Sequence, residues 1–457
     1  MTVRRLLLPA LTTSLLLGLV PSAPAQTFED ALASAYNTNP QILAERANLR
    51  ATDEQIAQAR AGWRPTVTVN GQIGDGYTDI KGVANQPVAK VERTGQLTVT
   101  QPLYKYATEP SIEAARNAIQ AERARLFATE QTVLLSAATT YLDNVQNQEL
   151  VRLNMENERV LQKQLEATND QFRVGEVTRT DVSQAEARLA GATAARIAAE
   201  GTQQTSRATF QQVIGLAALK LTRPARPKGL PTTSENAAQE ASLHNPTVVA
   251  AQFDEGTARA QIDVAKGGLL PQLSAVGTAG YQRNLPGSTL TTVGTAGIVA
   301  QLSVPLYESG SVYSQVRQAR QVASQRLILI QDARRTAIAS ATQAFETLLS
   351  ARAQIESLDS QVQADTVALE GVRQEASVGS RTILDILNAE QELLNSETSH
   401  EQAVHDDLVA SFQVLSAIGR MTAKDLSLPV ELYDFEANFK DVDKRWWGTD
   451  ILKQKDE

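Results

Sequence analysis

The chain has no cysteine in 457 residues. That removes disulfides, thiolate metal sites, a cysteine nucleophile and a lipid attached at an N-terminal cysteine. Histidine is nearly as scarce, with His244, His400 and His405 the whole set, which leaves little from which to build a multi-imidazole metal centre. There is no positive excess either: the formal net charge is −8, and a basic surface is what nucleic-acid binding requires. Beyond the first 25 residues no stretch of 18 apolar residues occurs, so no second spanning helix is expected. No nucleophile motif, phosphate-cradling glycine loop or tight acid–histidine cluster appears, so neither an enzyme nor a bound cofactor is expected. His400 and His405, beside Asp406 and Asp407, read as the exposed face of a helix.

What is present begins with an export signal. Arg4 and Arg5 precede an apolar run from Leu6 to Val20 and the small-residue site Ala23-Pro24-Ala25, the pattern of a signal peptide over residues 1–25. The run of about 15 apolar residues is short of the ~20 needed to span. Cleavage before Gln26 would remove two arginines and make the net charge more negative. An exported chain with no spanning helix is either soluble or crosses a bilayer as a closed β-barrel.

A tandem repeat organises the chain. Asn39-Pro40 recurs as Asn245-Pro246, Gly62 as Gly268 and Pro65 as Pro271; Pro102-Leu103-Tyr104 recurs as Pro305-Leu306-Tyr307. Val174-Gly175, Asp181 and Ile214-Gly215 return as Val378-Gly379, Asp385 and Ile418-Gly419, all displaced by about 204 residues. The repeats cover 26–221 and 234–427. A linker at 222–233 is stiffened by Pro224, Pro227 and Pro231. A charged tail, 428–457, carries Trp446 and Trp447 and is expected to be poorly ordered or laid along the outside of the molecule.

Within each repeat the hydrophobic period changes in the same order. A helical stretch interrupted at the Asn-Pro pair is followed by strict alternation: Val67, Val69 and Ile73 oppose Thr66, Thr68, Asn70 and Gln72, and Leu97, Val99 and Leu103 oppose Gln96, Thr98 and Thr100. The second repeat sets Leu273, Ala275, Ala279 and Tyr281 against Gln272, Ser274 and Thr278. This predicts hairpins at about 65–104 and 271–306, with strands of roughly ten residues. Such strands suit a membrane barrel with a wet lumen, although a soluble sandwich alternates in the same way. Four strands are too few to close a barrel, for which about eight are the minimum. A barrel therefore forces three chains and twelve strands.

Long helices follow each hairpin. Ile112, Ile119, Leu126 and Val133 recur every seven residues, as do Ala341, Leu348, Ile355, Val362 and Leu369, the spacing of coiled-coil seams. Long helices are expected at about 108–173 and 309–376, and returning helices at about 180–214 and 382–418. The short pre-hairpin helices could stack on the returning ones to match each long column.

This duplicated plan resembles the TolC family of outer-membrane channel proteins. The likeness covers nearly the whole mature chain and rests on the Asn-Pro pairs, the Gly-x-x-Pro starts of the hairpins, and the turns from Val174 to Val182 and from Val378 to Leu387. The resemblance implies a mixed α and β fold: a long antiparallel coiled-coil α-helical barrel, with four strands contributed to a twelve-stranded trimeric outer-membrane β-barrel. It implies the exit duct of a tripartite efflux or type I secretion system, a homotrimer embedded in outer-membrane lipid. The partners implied are a periplasmic adaptor (membrane fusion) protein and an inner-membrane pump of the ABC or RND type. A soluble periplasmic coiled-coil scaffold is the competing expectation.

The family's site residues map onto the turns. Val174, Gly175, Val378 and Gly379 match the turns that contact the adaptor; read without the family, the two glycines are helix C-caps. Asp181 and Arg381 match an inter-helix latch, and Asp385 matches a residue of the constriction, where three copies would make a ring that attracts cations. Like charges brought together would raise that ring's pKa. Both aspartates also suit helix N-termini by charge alone. Two positions depart from the family pattern. Asn388 stands where a second aspartate ring is usual, and Ala376 where a latch tyrosine is. A less cation-selective and more easily opened gate is expected, with Arg179 the candidate for a replacement contact.

Overall fold

The computed structural model describes residues 27–78, 88–283 and 292–451. The expected signal peptide at 1–25 lies outside them, as do residues 452–457 of the tail.

Each repeat opens with two helices separated by one residue: α1 (Phe28–Thr38) and α2 (Pro40–Arg60), then α5 (Ser234–His244) and α6 (Pro246–Lys266). Asn39 ends α1 in an extended conformation and caps α2, its side-chain oxygen accepting from the Gln41 amide at 2.9 Å. Pro40 then occupies the first helical position, where its missing N–H costs nothing. Asn245 and Pro246 repeat the device.

The hairpins follow: β1 (Thr66–Thr78) and β2 (Val88–Lys105), then β3 (Gln272–Arg283) and β4 (Thr292–Ser303). They do not form two separate ribbons. β2 pairs with β3, giving one antiparallel sheet in the order β1-β2-β3-β4. In register, Val69 faces Leu97, Leu97 faces Ala279, and Ala279 faces Ala296. One surface of the sheet is therefore apolar from edge to edge. The register slips between Pro102 and Tyr104, since proline has no N–H for the ladder; Tyr104 rather than Leu103 then aligns with Leu273. The strands also run longer than the ten residues expected, reaching 18 in β2, because the ladder continues past the apolar alternation through Glu92 and Arg93.

Among the described residues no helix packs over the sheet. Val69 is 76% exposed and Ile298 84%. A soluble sandwich would bury that surface, so the scaffold reading fails here.

Helices α3 (Thr108–Arg173) and α7 (Ser311–Ser377) have 66 and 67 residues, about 100 Å each at ~1.5 Å per residue. They return as α4 (Arg179–Ile214) and α8 (Ile383–Ala417). The short helices stack on these in line. The Asn39 side-chain amide donates to the Val213 carbonyl at 3.0 Å, and that of Asn245 to Ala417 at 3.0 Å. The orphan carbonyls ending α4 and α8 are thus satisfied by the residues that start α2 and α6, and a negative helix end meets a positive one. Gly215 and Gly419 turn the chain away with φ of +82° and +85°. At Gly419 a Cβ would lie 2.6 Å from the His244 carbonyl oxygen.

The main core surrounds these joints. Phe28 packs edge-on to Tyr141, with ring centroids 5.2 Å apart, and against Phe412 at 5.0 Å. Arg226 of the linker reaches the buried Asp407 at 2.6 Å, and Arg352 of α7 meets the same carboxylate at 3.3 Å. The histidines are not an exposed face. His405 is largely buried and bridges Asp143 of α3 (2.8 Å) and Asp406 (3.0 Å), while His400 pairs with Asp359 of α7.

The described part of the tail packs against the first repeat. Its helix α9 (Phe435–Lys444) lies along α2. Phe435, Phe439 and Val442 join Leu49, Ile56 and Ile119 in a second core. The Asn438 side chain donates to the buried Asp53 at 2.8 Å, and Asp443 pairs with Arg60 at 2.9 Å.

Gly419→Ala should lower the melting temperature by several degrees, because a left-handed conformation costs a non-glycine residue about 1–2 kcal/mol even before the steric conflict. Gly371→Ala, in open space within α7, should leave it unchanged or raise it; thermal melts by circular dichroism decide. Burial opposes protonation of His405, but Asp143 and Asp406 outweigh it and raise its pKa. The resulting stabilisation is fully present below the unfolded value near 6.5 and fades as pH rises through the folded one. The melting temperature of wild type relative to His405→Gln should therefore be higher at pH 6 than at pH 9.

Candidate functional site: the helix tips

The two turns joining long helices to returning ones have the same construction. After α3, the Glu176 amide donates to the Gln171 carbonyl at 2.9 Å; after α7, that of Ser380 donates to Glu375 at 3.0 Å. These are Schellman closures. Gly175 and Gly379 supply the left-handed residue, with φ of +84° and +80°. Val174 and Val378, one residue earlier, are exposed with no apolar partner to bury them.

Each turn then starts its next helix with a reciprocal cap. Asp181 accepts from the Thr178 amide (2.9 Å) and hydroxyl (2.7 Å); Asp385 accepts from the Thr382 amide (2.9 Å) and hydroxyl (2.8 Å). Hydrogen bonds to the charged form lower a carboxyl pKa. Asp181 is lowered by the Thr178 hydroxyl and then its amide; Asp385 is lowered by the Thr382 amide, then its hydroxyl, with Arg381 adding to it. Within one chain, therefore, Asp385 is biased towards the anion, opposite to the shift that like charges in a ring would give.

Of the predicted latch pair, the structure does not bring Asp181 and Arg381 together within one chain. Arg381 instead donates to Glu375 across its own turn at 2.8 Å. The link between the two helical hairpins falls elsewhere: Arg188 of α4 donates to Asn388 of α8 at 2.9 Å. Within one chain, α4 reaches α8 at this level through Arg188. Sequence reading missed Arg188, because nothing local marks a residue whose partner is 200 positions away.

The links within each hairpin are more strongly charged. Arg196 of α4 and Glu158 of α3 meet at 2.6 Å, while Arg373 of α7 reaches the buried Glu390 of α8 at 3.1 Å. Burial raises the Glu390 pKa, partly offset by Arg373. Apolar support at this end is a small cluster of Leu161, Ala192 and Leu387 with Leu189 and Ile383 beside it, together with the buried Val182, Ala185, Leu369 and Ile386. A region with few buried contacts opens at low free-energy cost. The geometry gives two firm hairpins joined at their tips by one neutral-acceptor hydrogen bond and a small apolar patch.

Comparison with known proteins bears on what such an end does. The sequence profile of a family described as "Outer membrane efflux protein" matches residues 31–216 and 237–420, one segment in each repeat. The chain is 33% identical to the outer membrane efflux protein BepC of Brucella suis biovar 1, over 93% of this chain and 92% of that one. It is 24% identical to the outer membrane protein TolC of Escherichia coli, covering 92% and 87%. In fold it is similar to the crystal structure of the Campylobacter jejuni CmeC outer membrane channel, with a TM-score of 0.76 at 16% identity, over 96% of this chain and 98% of that one.

Replacing Arg188 by alanine should loosen the tips without unfolding the core. An exposed link of this kind is worth about 0.5–1 kcal/mol. Amide hydrogen exchange near 180–190 and 383–392 should accelerate about two- to five-fold, with exchange around Tyr141 and Phe412 unchanged.

Proposed function

The chain belongs to the outer membrane efflux protein family, and from that premise we propose that three copies close one continuous duct from the periplasm through the outer membrane. The protein is an outer-membrane channel of the efflux and secretion type. The observation that carries the trimer is the sheet. It has four strands, β1 and β4 have no strand partner on their outer edges among the described residues, and one surface is apolar from edge to edge at the level of Val67, Val69, Leu97, Ala279 and Ile298. Three such sheets supply the twelve strands of a barrel whose apolar surface meets lipid and whose Thr, Gln and Ser surface lines water. Antiparallel pairs α3/α4 and α7/α8, with α2 and α6 stacked in line, extend that barrel as a helical wall.

In this reading the mature chain follows removal of residues 1–25, and the repeats 26–221 and 234–427 are joined by the linker 222–233. The tips form the periplasmic gate. Asp385 and Asn388 line its narrowest ring, and Asp181 and Arg381 form the latch between neighbouring copies, exchanging their within-chain partners Thr178 and Glu375 for each other. Val174, Gly175, Val378 and Gly379 present the surface that a periplasmic adaptor engages, with an inner-membrane pump of the ABC or RND type delivering cargo. The exposed valines and the glycine turns support this, since they offer apolar contact and close backbone approach at the membrane-distal end. Arg188 bonded to Asn388 places a guanidinium where the family pattern has acid, which favours weaker cation selectivity.

Two measurements test the assignment. Asp385→Ala should reduce cation selectivity in planar-bilayer recordings while the channel still inserts; unchanged selectivity would remove Asp385 from the constriction. Val378→Asp should abolish crosslinking to the adaptor while leaving outer-membrane assembly intact, and undiminished crosslinking would remove the turn from the docking surface.

A further inference from the structure

The C-terminal tail climbs towards the membrane. Its contacts with the first repeat advance together along both segments. The Tyr433 amide donates to the Tyr36 hydroxyl at 3.1 Å, Asn438 meets Asp53, Asp443 meets Arg60, and the Arg64 guanidinium donates to the Arg445 carbonyl at 2.8 Å. The ladder ends with the Arg64 guanidinium 5.0 Å from the centroid of the Trp446 ring. Arg64 is two residues before β1 and three before Val67, the first residue of the sheet's apolar surface. At ~3.3 Å per residue, Arg64, against which Trp446 stacks, lies within about 10 Å of Val67.

At that level the packing of the tail stops. Trp447 is 89% exposed and Ile451 74%. Exposing a tryptophan beside a docked helix forfeits apolar burial that the second core offers a few residues earlier. Tyr104, on the apolar surface below the register slip, and Tyr307, after β4, are also exposed at the base of the sheet. Amphipathic rings gather at the headgroup level of a bilayer. The headgroup zone on each side of the hydrocarbon is roughly 5–8 Å deep, of the same order as the chain reach between Arg64 and Val67.

We infer that Trp446, Trp447 and Ile451 form an interfacial anchor that seats the C-terminal tail in the headgroup region of the periplasmic leaflet of the outer membrane. The inference rests on the outer-membrane channel reading, because the lipid-facing surface of the sheet sets the height of the bilayer and the anchor continues that surface downwards. Trp446 is held by Arg64, so it positions its neighbour, and Trp447 makes the contact with lipid. Helix α9 acts as a strut, fixing the depth of the barrel through its contacts with α2 at Asp53 and Arg60, and through those of Arg445 and Trp446, just after it, with Arg64.

The test uses the full chain in nanodiscs of phosphatidylcholine, comparing wild type with Trp447→Phe, a substitution at an exposed position that leaves the fold intact. The difference between their emission spectra isolates Trp447 from Trp63 and Trp446. That difference should lie at shorter wavelength than for a tryptophan in water. Phosphatidylcholine brominated near the headgroup end of its acyl chains should abolish most of it, and lipid brominated near the chain terminus should remove less. A chain that inserts with Trp447 emission at the wavelength of water, or unquenched by either lipid, overturns the anchor alone. Short-wavelength emission that persists in detergent and ignores brominated lipid would place Trp447 against a neighbouring copy and overturn it too. A chain that enters no bilayer would overturn the channel reading, and the anchor with it.

Discussion

An antiparallel sheet with a bare apolar surface and two open edges cannot rest in water. Each open edge carries a row of backbone N–H and C=O groups, a template for pairing with another strand. In hydrocarbon, every such group must be satisfied within protein. In the proposed trimer, lipid covers the surface formed by Val67, Val69, Leu97, Ala279 and Ile298, and the edges are met when β1 of one chain pairs with β4 of the next. The rest of the architecture follows from that demand. A barrel of twelve strands has a circumference that the helices below must continue, so each repeat supplies a long helix and a column of equal length beside it.

The column is where the sequence spends its least replaceable residues. α4 and α8 are too short to match α3 and α7, and the Asn-Pro joints make up the length without a bend. Each asparagine caps one helix, α2 or α6, with its oxygen and closes the end of another, α4 or α8, with its nitrogen. The main core gathers at these joints, while the tips carry only a few buried side chains. Stability is thereby concentrated in the middle of the molecule, leaving the far end able to open at small cost.

Much of this was legible in the amino-acid sequence, because its signals are periodic or punctuated. Heptads marked α3 and α7, alternation marked the strands, and Val-Gly and Asn-Pro pairs marked the ends and joints. Less legible was whatever depends on contacts distant in sequence. The pairing of β2 with β3, which merges the hairpins into one sheet, lies across 167 or more residues and has no local mark. Arg188 finding Asn388 is of the same kind. His405 looked exposed because its neighbours are acids, yet those acids are what allow an imidazole to be buried there. For the tail the sequence left two expectations open, poor order or a course along the outside, and α9 lying on α2 agrees with the second. Phe435, Phe439 and Val442 recur at helical spacing, a signal that was present but outweighed by the surrounding Asp, Glu and Lys.

The mass of the detergent-solubilised particle tests the central claim most directly. Light scattering coupled to size-exclusion chromatography, with the detergent contribution subtracted, should give three chains per particle and aggregation once detergent is withdrawn. A single chain that stays monodisperse in detergent-free buffer would mean that its strand edges and apolar surface are satisfied from within, contradicting the account.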